Sequence, residues 1–249
     1  MGNTPERCEK EAFVEGLFSS IADKYDLMNS ILSLSRHRVW RRLAVSKAGL
    51  EPGDAALDAC CGTGDFAFEL AKVVGEHGRV AGVDFSAPMI ELAQAKASRA
   101  NLRGVQFSTA NACDIPFFDA SFECVTIGFG VRNLADIDAG IAEMVRVLKP
   151  GGRLVCLETS QVRSKPVRLL WQLCFRVFSP CAAMLMGTKI SAYQYLPKSA
   201  KEFLSREELA AKFENHGLTD VTASDMMFGA VCVHIGTKAT SDQCQVLNQ

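Results

Sequence analysis

The chain has 249 residues, 48% of them hydrophobic and 22% charged, with a formal net charge of −1. That length suits one α/β domain with additions and a substantial core, and the near-neutral balance argues against a nucleic-acid partner. The polar opening Met1-Gly-Asn-Thr-Pro-Glu-Arg7 lacks the apolar stretch of a signal peptide, and the ten cysteines have no metal-ligand spacing, so the expectation is a cytoplasmic protein with reduced, packed thiols and no metal.

In chain order, residues 9–48 read as helical. They include Ala12-Phe-Val-Glu-Gly-Leu-Phe-Ser-Ser-Ile21 and His37-Arg-Val-Trp-Arg-Arg-Leu-Ala44. We expect them to form an N-terminal helical cap, residues 1–48, ahead of a main domain at 49–238. The next stretch is the most informative. Asp58-Ala-Cys-Cys-Gly62-Thr63-Gly64-Asp65 follows the apolar run Ala55-Ala-Leu57 and precedes a helical pattern at Phe66, Ala67, Leu70, Ala71 and Val74. A second strand then ends in Asp84. A glycine turn after one strand with a carboxylate at the tip of the next is how a Rossmann-like sheet holds a nucleoside. Gly62 and Gly64 admit a close ligand, and Asp84 is positioned to accept both ribose hydroxyls.

The glycines alone also fit a dinucleotide fingerprint, so an NAD-dependent oxidoreductase stays open at this point. The flanking acids argue otherwise. A helix N-terminus favours a pyrophosphate, but Asp58 and Asp65 bracket it here. Both are expected to repel a pyrophosphate and to favour the ammonium and sulfonium groups of S-adenosylmethionine (SAM).

Further strands are predicted near 104–109, 122–128 and 152–158, with helices near 65–75, 88–99 and 136–148. Ser86 is a candidate cap for the second of these, with Pro88 in its first turn. Lys149-Pro-Gly-Gly152 should stop the third helix and turn into a strand. Such alternation implies a mostly parallel, doubly wound sheet whose ligands bind beyond the carboxyl ends of the strands. That edge collects Gly62, Asp84, Asn111 and residues 128–133.

Residues 159–204 read as an insertion. From 159 to 201 they carry seven Lys or Arg, no Asp or Glu, and many large apolar side chains. A lid over a greasy substrate, with bases toward anionic lipid, competes with an insert packed on the core. Ser205-Arg-Glu-Glu208 is a capping box opening a further helix that Gly217 ends. Two consecutive strands, near 219–226 and 229–236, then form an antiparallel hairpin. The tail, 239–249, is expected to be disordered.

Two segments carry a family resemblance. Tyr25-Asp-Leu-Met-Asn29 through Ser33-Leu-Ser-Arg-His37-Arg-Val-Trp40 is similar to the N-terminal signature of the ubiquinone/menaquinone C-methyltransferases. Arg146-Val-Leu-Lys149-Pro-Gly-Gly152 through Leu157-Glu158-Thr-Ser160 resembles their second signature, and Gly128-Phe-Gly-Val-Arg132-Asn133 resembles a third segment. The likeness runs from about Phe18 to Lys238 and leans to the menaquinone branch, in part because Gly128 stands where some ubiquinone-branch members carry Ser.

The resemblance implies a class I SAM methyltransferase with a seven-stranded sheet. It further implies methylation of a ring carbon of a reduced polyprenyl naphthoquinol, demethylmenaquinol to menaquinol. It also implies that Thr63, Asp84, Asn111 and Ala112 contact SAM; Asp114 is a further candidate for the adenine. For the chemistry, Arg132 and Asn133 follow the fourth strand at the cofactor edge and suit a developing oxyanion. His37, Tyr25 and Asp26 in the cap are candidates for base or orienting group. The partners expected are the polyprenyl quinol, peripheral contact with lipid at the inner face of the membrane, and a second copy of the chain. A benzoquinol methylase of the ubiquinone route and a non-catalytic SAM-binding scaffold stay as alternatives.

Overall fold

The computed structural model describes residues 4–162, 195 and 199–240. The lid expected at 159–204 falls largely, and the tail beyond 240 wholly, outside the described residues. Two helices come first, α1 (Thr4–Leu32) and α2 (His37–Ser46). Then β1 (Ala55–Ala59), α3 (Asp65–Val74), β2 (Arg79–Asp84), α4 (Ala87–Arg99) and β3 (Val105–Thr109) alternate. They are followed by β4 (Phe122–Gly128), α5 (Ile137–Val147), β5 (Leu148–Thr159), α6 (Arg206–Asn215), β6 (Leu218–Met226) and β7 (Val231–Lys238).

The strands form one seven-stranded sheet in the order β3-β2-β1-β4-β5-β7-β6. The first five are parallel, and β7 runs antiparallel to both β5 and β6. All five residues of β1 are buried, as a strand covered on both faces requires. The period-2 alternation sends Ala56, Cys124 and Val155 to a core shared with Trp40, Phe66 and Leu70. It sends Leu57, Val125 and Leu154 to the opposite core, with Ile141, Met144 and Phe213. The chain therefore winds helices onto both faces. Its order reverses between β1 and β4, and that reversal opens a crevice at their carboxyl ends.

Local signals behave unevenly. The capping box of Ser205 and Glu208 is formed, and Gly217 takes a left-handed φ of 82° just past α6. Ser86 occupies the N-cap position of α4 but caps nothing. Its hydroxyl pairs with that of Ser19 on α1 at 2.9 Å, which favours tertiary docking over the local bond. The strand expected from 152 begins earlier, at Leu148 opposite Phe122, and Lys149–Gly152 bulge out before Arg153 pairs with Cys124. His234, facing inward from β7, is held by a 2.9 Å bond from Nε2 to the Arg206 carbonyl. Among the described residues no helix is long and apolar enough to cross a membrane.

Candidate active site

β1 ends in a turn whose backbone is forced to the left-handed side three times, at Cys60 (φ 54°), Gly62 (φ 53°) and Gly64 (φ 86°). Gly64 has a second constraint: a Cβ there would lie 2.8 Å from the Phe107 ring. The turn is pinned to the tip of β2. Asp84 accepts the Gly62 N–H and the Ser86 N–H, each at 2.9 Å. Burial raises the Asp84 carboxyl above its ordinary range, and the two backbone donors oppose that. One oxygen is used by each donor, so each keeps a lone pair for a further hydroxyl.

Beyond this turn lies an open cavity of about 210 Å³. Its walls include six residues singled out in the sequence: Tyr25, Gly62, Asp84, Asn111, Ala112 and Asn133. Thr63, Gly64, Asp114, Arg132, Asp26 and His37 do not line it. Among the described residues, the charged ones on its wall are Glu11, Glu15 and Asp84, with no Lys or Arg. Glu11 and Glu15 come from α1, which lays Val14, Phe18 and Tyr25 along the same wall.

This corrects the electrostatic expectation for the turn. Asp58 is buried and accepts from Thr126 Oγ1 at 3.0 Å and the Ala67 N–H at 3.1 Å. Burial pushes its carboxyl up to about 7, against the Thr126 hydrogen bond, so it does not present a fixed charge to a ligand. Asp65 is ion-paired with Arg41 at 3.1 Å and Lys96 at 2.7 Å. Burial would raise the Asp65 carboxyl, but those cations outweigh it and hold it below its usual range. The negative potential facing the cavity comes from Glu11, Glu15 and Asp84 instead.

Lys96 also reaches Asp26 at 2.8 Å and Thr63 Oγ1 at 3.1 Å, and Thr63 donates to Asp26 at 2.5 Å. Asp26 and Thr63 thus join a network that fastens α1 to the glycine turn and to α4. His37 is buried, with Nδ1 2.7 Å from the Ser33 hydroxyl. Burial, aided by Arg41, lowers it to about 4, so it is neutral at pH 7. Burial raises the Tyr25 hydroxyl, so Tyr25 faces the cavity as a phenol. Arg132 pairs with Glu158 from the end of β5, and its guanidinium lies 5.7 Å from the Phe129 ring centroid. Its Nε is buried without a partner. Asn133 sits on the wall, donating to the Phe129 carbonyl and accepting from the Tyr195 hydroxyl, both at 3.1 Å. Burial pushes the Cys60 and Cys61 thiols well up, which fits packing and not nucleophilic chemistry.

The profile of the ubiE/COQ5 methyltransferase family matches residues 6–238. The chain belongs to that family. The demethylmenaquinone methyltransferase of Bacillus cereus is 41% identical over 232 residues, 93% of this chain and 98% of that protein. The protein of the same name from Bacillus cytotoxicus is 40% identical over 233 residues, 94% and 98% of the two chains. Among solved structures, a SAM-dependent methyltransferase from Thermotoga maritima superposes with a TM-score of 0.63 at 20% identity, covering 90% of this chain and 99% of its own. One from Aquifex aeolicus gives 0.60 at 20% identity, covering 82% and 92%. These two establish the class I methyltransferase fold.

The methyltransferase takes SAM as its methyl donor, and the residues present fit it. The wall offers three acids and, among its described residues, no base; one of the three, Asp84, keeps free lone pairs beside the glycine turn. That set suits a sulfonium and disfavours a pyrophosphate. Glu11, Glu15, Glu158 and Tyr195 went unassigned by sequence reasoning. Glu11, Glu15 and Phe18 recur at helical spacing, a stripe the sequence does contain. The Arg132–Glu158 pair joins two strand ends 26 positions apart and leaves no local signal.

Proposed function

We propose that this methyltransferase transfers a methyl group to a ring carbon of a reduced polyprenyl naphthoquinol, converting demethylmenaquinol to menaquinol. The observation that carries the substrate is the 41% identity, over 98% of its length, to a protein named for demethylmenaquinone. SAM, when bound, supplies an activated methyl on a positive sulfur. Asp84 would accept the ribose hydroxyls, Gly62 would allow the close approach, Gly64 lets the turn close against Phe107, and Asn111, Ala112 and Asp114 would serve the adenine side. Thr63 acts through Asp26 and Lys96 by fixing the turn.

The ring carbon becomes nucleophilic as the adjacent quinol hydroxyl gives its proton to a carboxylate of the wall, Glu11 or Glu15, and once the methyl is on the ring the displaced C–H proton leaves through the open mouth of the cavity. Tyr25 and Asn133 face the cavity and hold the quinol oxygens by hydrogen bonds, while α1 excludes water. Arg132 stands one residue from Asn133 and offsets the developing negative charge, tempered by Glu158. His37, neutral and tied to Ser33, orients the α1–α2 junction. The polyprenyl chain keeps its substrate in a bilayer, so the enzyme works at the cytoplasmic membrane face.

The test is incubation of purified protein with SAM and reduced demethylmenaquinone, followed by mass spectrometry. One added methyl on the ring is expected. Methylation of a polyprenyl benzoquinol in its place would overturn the naphthoquinol assignment.

A further inference from the structure

The cap exposes large apolar side chains in its α1–α2 turn and along α2. Leu34, in the turn between α1 and α2, is 77% exposed, Val39 52% and Leu43 42%. Val39, Arg42, Leu43 and Ser46 recur at helical spacing on the face of α2 opposite its buried residues His37, Trp40, Arg41, Ala44 and Val45. The turn itself holds Leu34 (φ 50°) and Ser35 (φ 59°) in left-handed backbone, closed by bonds from Ser35 N–H to the Ser30 carbonyl and Arg36 N–H to the Ser33 carbonyl. Leucine tolerates that conformation poorly, so a strained turn presents an apolar tip to solvent.

Within the turn and α2 themselves the charged side chains have one sign. Arg36, Arg38, Arg42 and Lys47 are exposed, and no Asp or Glu occurs from Leu27 to Leu50 in a chain whose net charge is −1. Bases ringing apolar side chains on an amphipathic helix are the pattern of an interfacial helix on anionic lipid. A second copy of this chain would bring the same bases to a shared two-fold face and repel. The chain's own 163–194 segment carries Arg163, Lys165, Arg168, Arg176 and Lys189 and no acid, so it does not complement the face either. Behind the face, Trp40 packs 6.4 Å from the ring of Phe129, and Phe129 lines the cavity. Trp40, on the buried side of α2, thus links this helix to the cavity wall.

We propose that the exposed face of α2 and the Leu34 turn dock the enzyme on an anionic bilayer, apolar side chains inserted and bases on the headgroups. This rests on the lipid-borne quinol as substrate and names the surface that meets it. Flotation of the full chain with vesicles of phosphatidylglycerol and phosphatidylcholine, against phosphatidylcholine alone, tests it. Wild-type protein should float with the anionic vesicles and be released by salt. Arg38→Glu/Arg42→Glu should weaken binding by about 25-fold or more, at about fivefold per basic residue. Val39→Ser/Leu43→Ser should also weaken it while keeping the charge.

Absent flotation of the wild type, or variants that float equally well, would overturn the proposal. So would Val39→Ser/Leu43→Ser converting a dimer to a monomer in sedimentation, or abolishing capture of a protein partner with vesicle binding untouched. Turnover of a detergent-solubilised short-chain naphthoquinol should be unchanged in both variants. Wild-type protein that floats but does not methylate that quinol would fail the functional reading alone.

Discussion

Asp58 and Asp65 stand beside the glycine turn with their carboxyls engaged inside the protein, whereas Glu11, Glu15 and Asp84 stand on a cavity wall that has no Lys or Arg among its described residues. The two groups carry the same formal charge and sit within one small region. Those at the turn hold elements together: Asp58 joins β1 to β4 and α3, and Asp65 joins α3 to α2 and α4. Those on the wall set the potential a ligand meets. Adjacency to a glycine motif in sequence is thus a poor guide to which acid faces the ligand. The tertiary partner decides.

The sharpest way to break this contrast is at Asp84. Removing the acceptor of two ligand hydroxyls, at up to about 1.5 kcal/mol for each hydrogen bond, should weaken SAM binding on the order of 100-fold in Asp84→Ala. Calorimetry checks this, and unchanged affinity would remove Asp84 from the ribose. Arg132→Ala comes next. It leaves Glu158 buried without its partner, which costs about 3–5 kcal/mol of stability. In the protein that remains folded, kcat should fall by more than SAM affinity does. Equal losses of both would show that Arg132 has no selective role in the transition state.

Asp58 sharpens the contrast from the other side. Its carboxyl is raised from 3.8 to about 7 in the folded protein, so between those values the unfolded chain releases a proton that the folded chain keeps. The stability from this group is complete below pH 3.8 and declines as pH rises to about 7, at up to about 1.4 kcal/mol per pH unit. Asp58→Asn should flatten that part of the Tm-against-pH curve and change SAM affinity by less than about threefold, the expected limit for a residue off the wall. A large loss of affinity with an unaltered pH profile would reverse the assignment. The smallest effect belongs to Glu15→Gln, an exposed charge worth about 0.2–1 kcal/mol. It should weaken SAM by a few-fold at low salt and the uncharged-sulfur product S-adenosylhomocysteine by less. Equal weakening would mean that the wall does not sense the sulfonium.

What could be read from the chain was local or periodic. The continuous apolar run of β1, the carboxylate closing β2, the Ser205 capping box and the final hairpin each announce themselves within a few residues, and together they define the sheet. Asp84 was legible because strand, turn and tip lie in one unit. The pairings that assign the remaining site residues span the chain: Arg41 with Asp65, Lys96 with Asp26, Arg132 with Glu158, Tyr195 with Asn133. Each depends on which elements the doubly wound order brings together, and no window of sequence contains it. Ser86 shows the same limit at small scale, since its hydroxyl forgoes the cap for Ser19 on a helix 67 residues away.

The most direct test is calorimetric titration of the wild-type protein with SAM and, separately, with NAD. Saturable binding of SAM that Asp84→Ala weakens on the order of 100-fold, with no binding of NAD, is the result expected of a negatively lined methyl-donor cavity. Binding of NAD with SAM silent would contradict it.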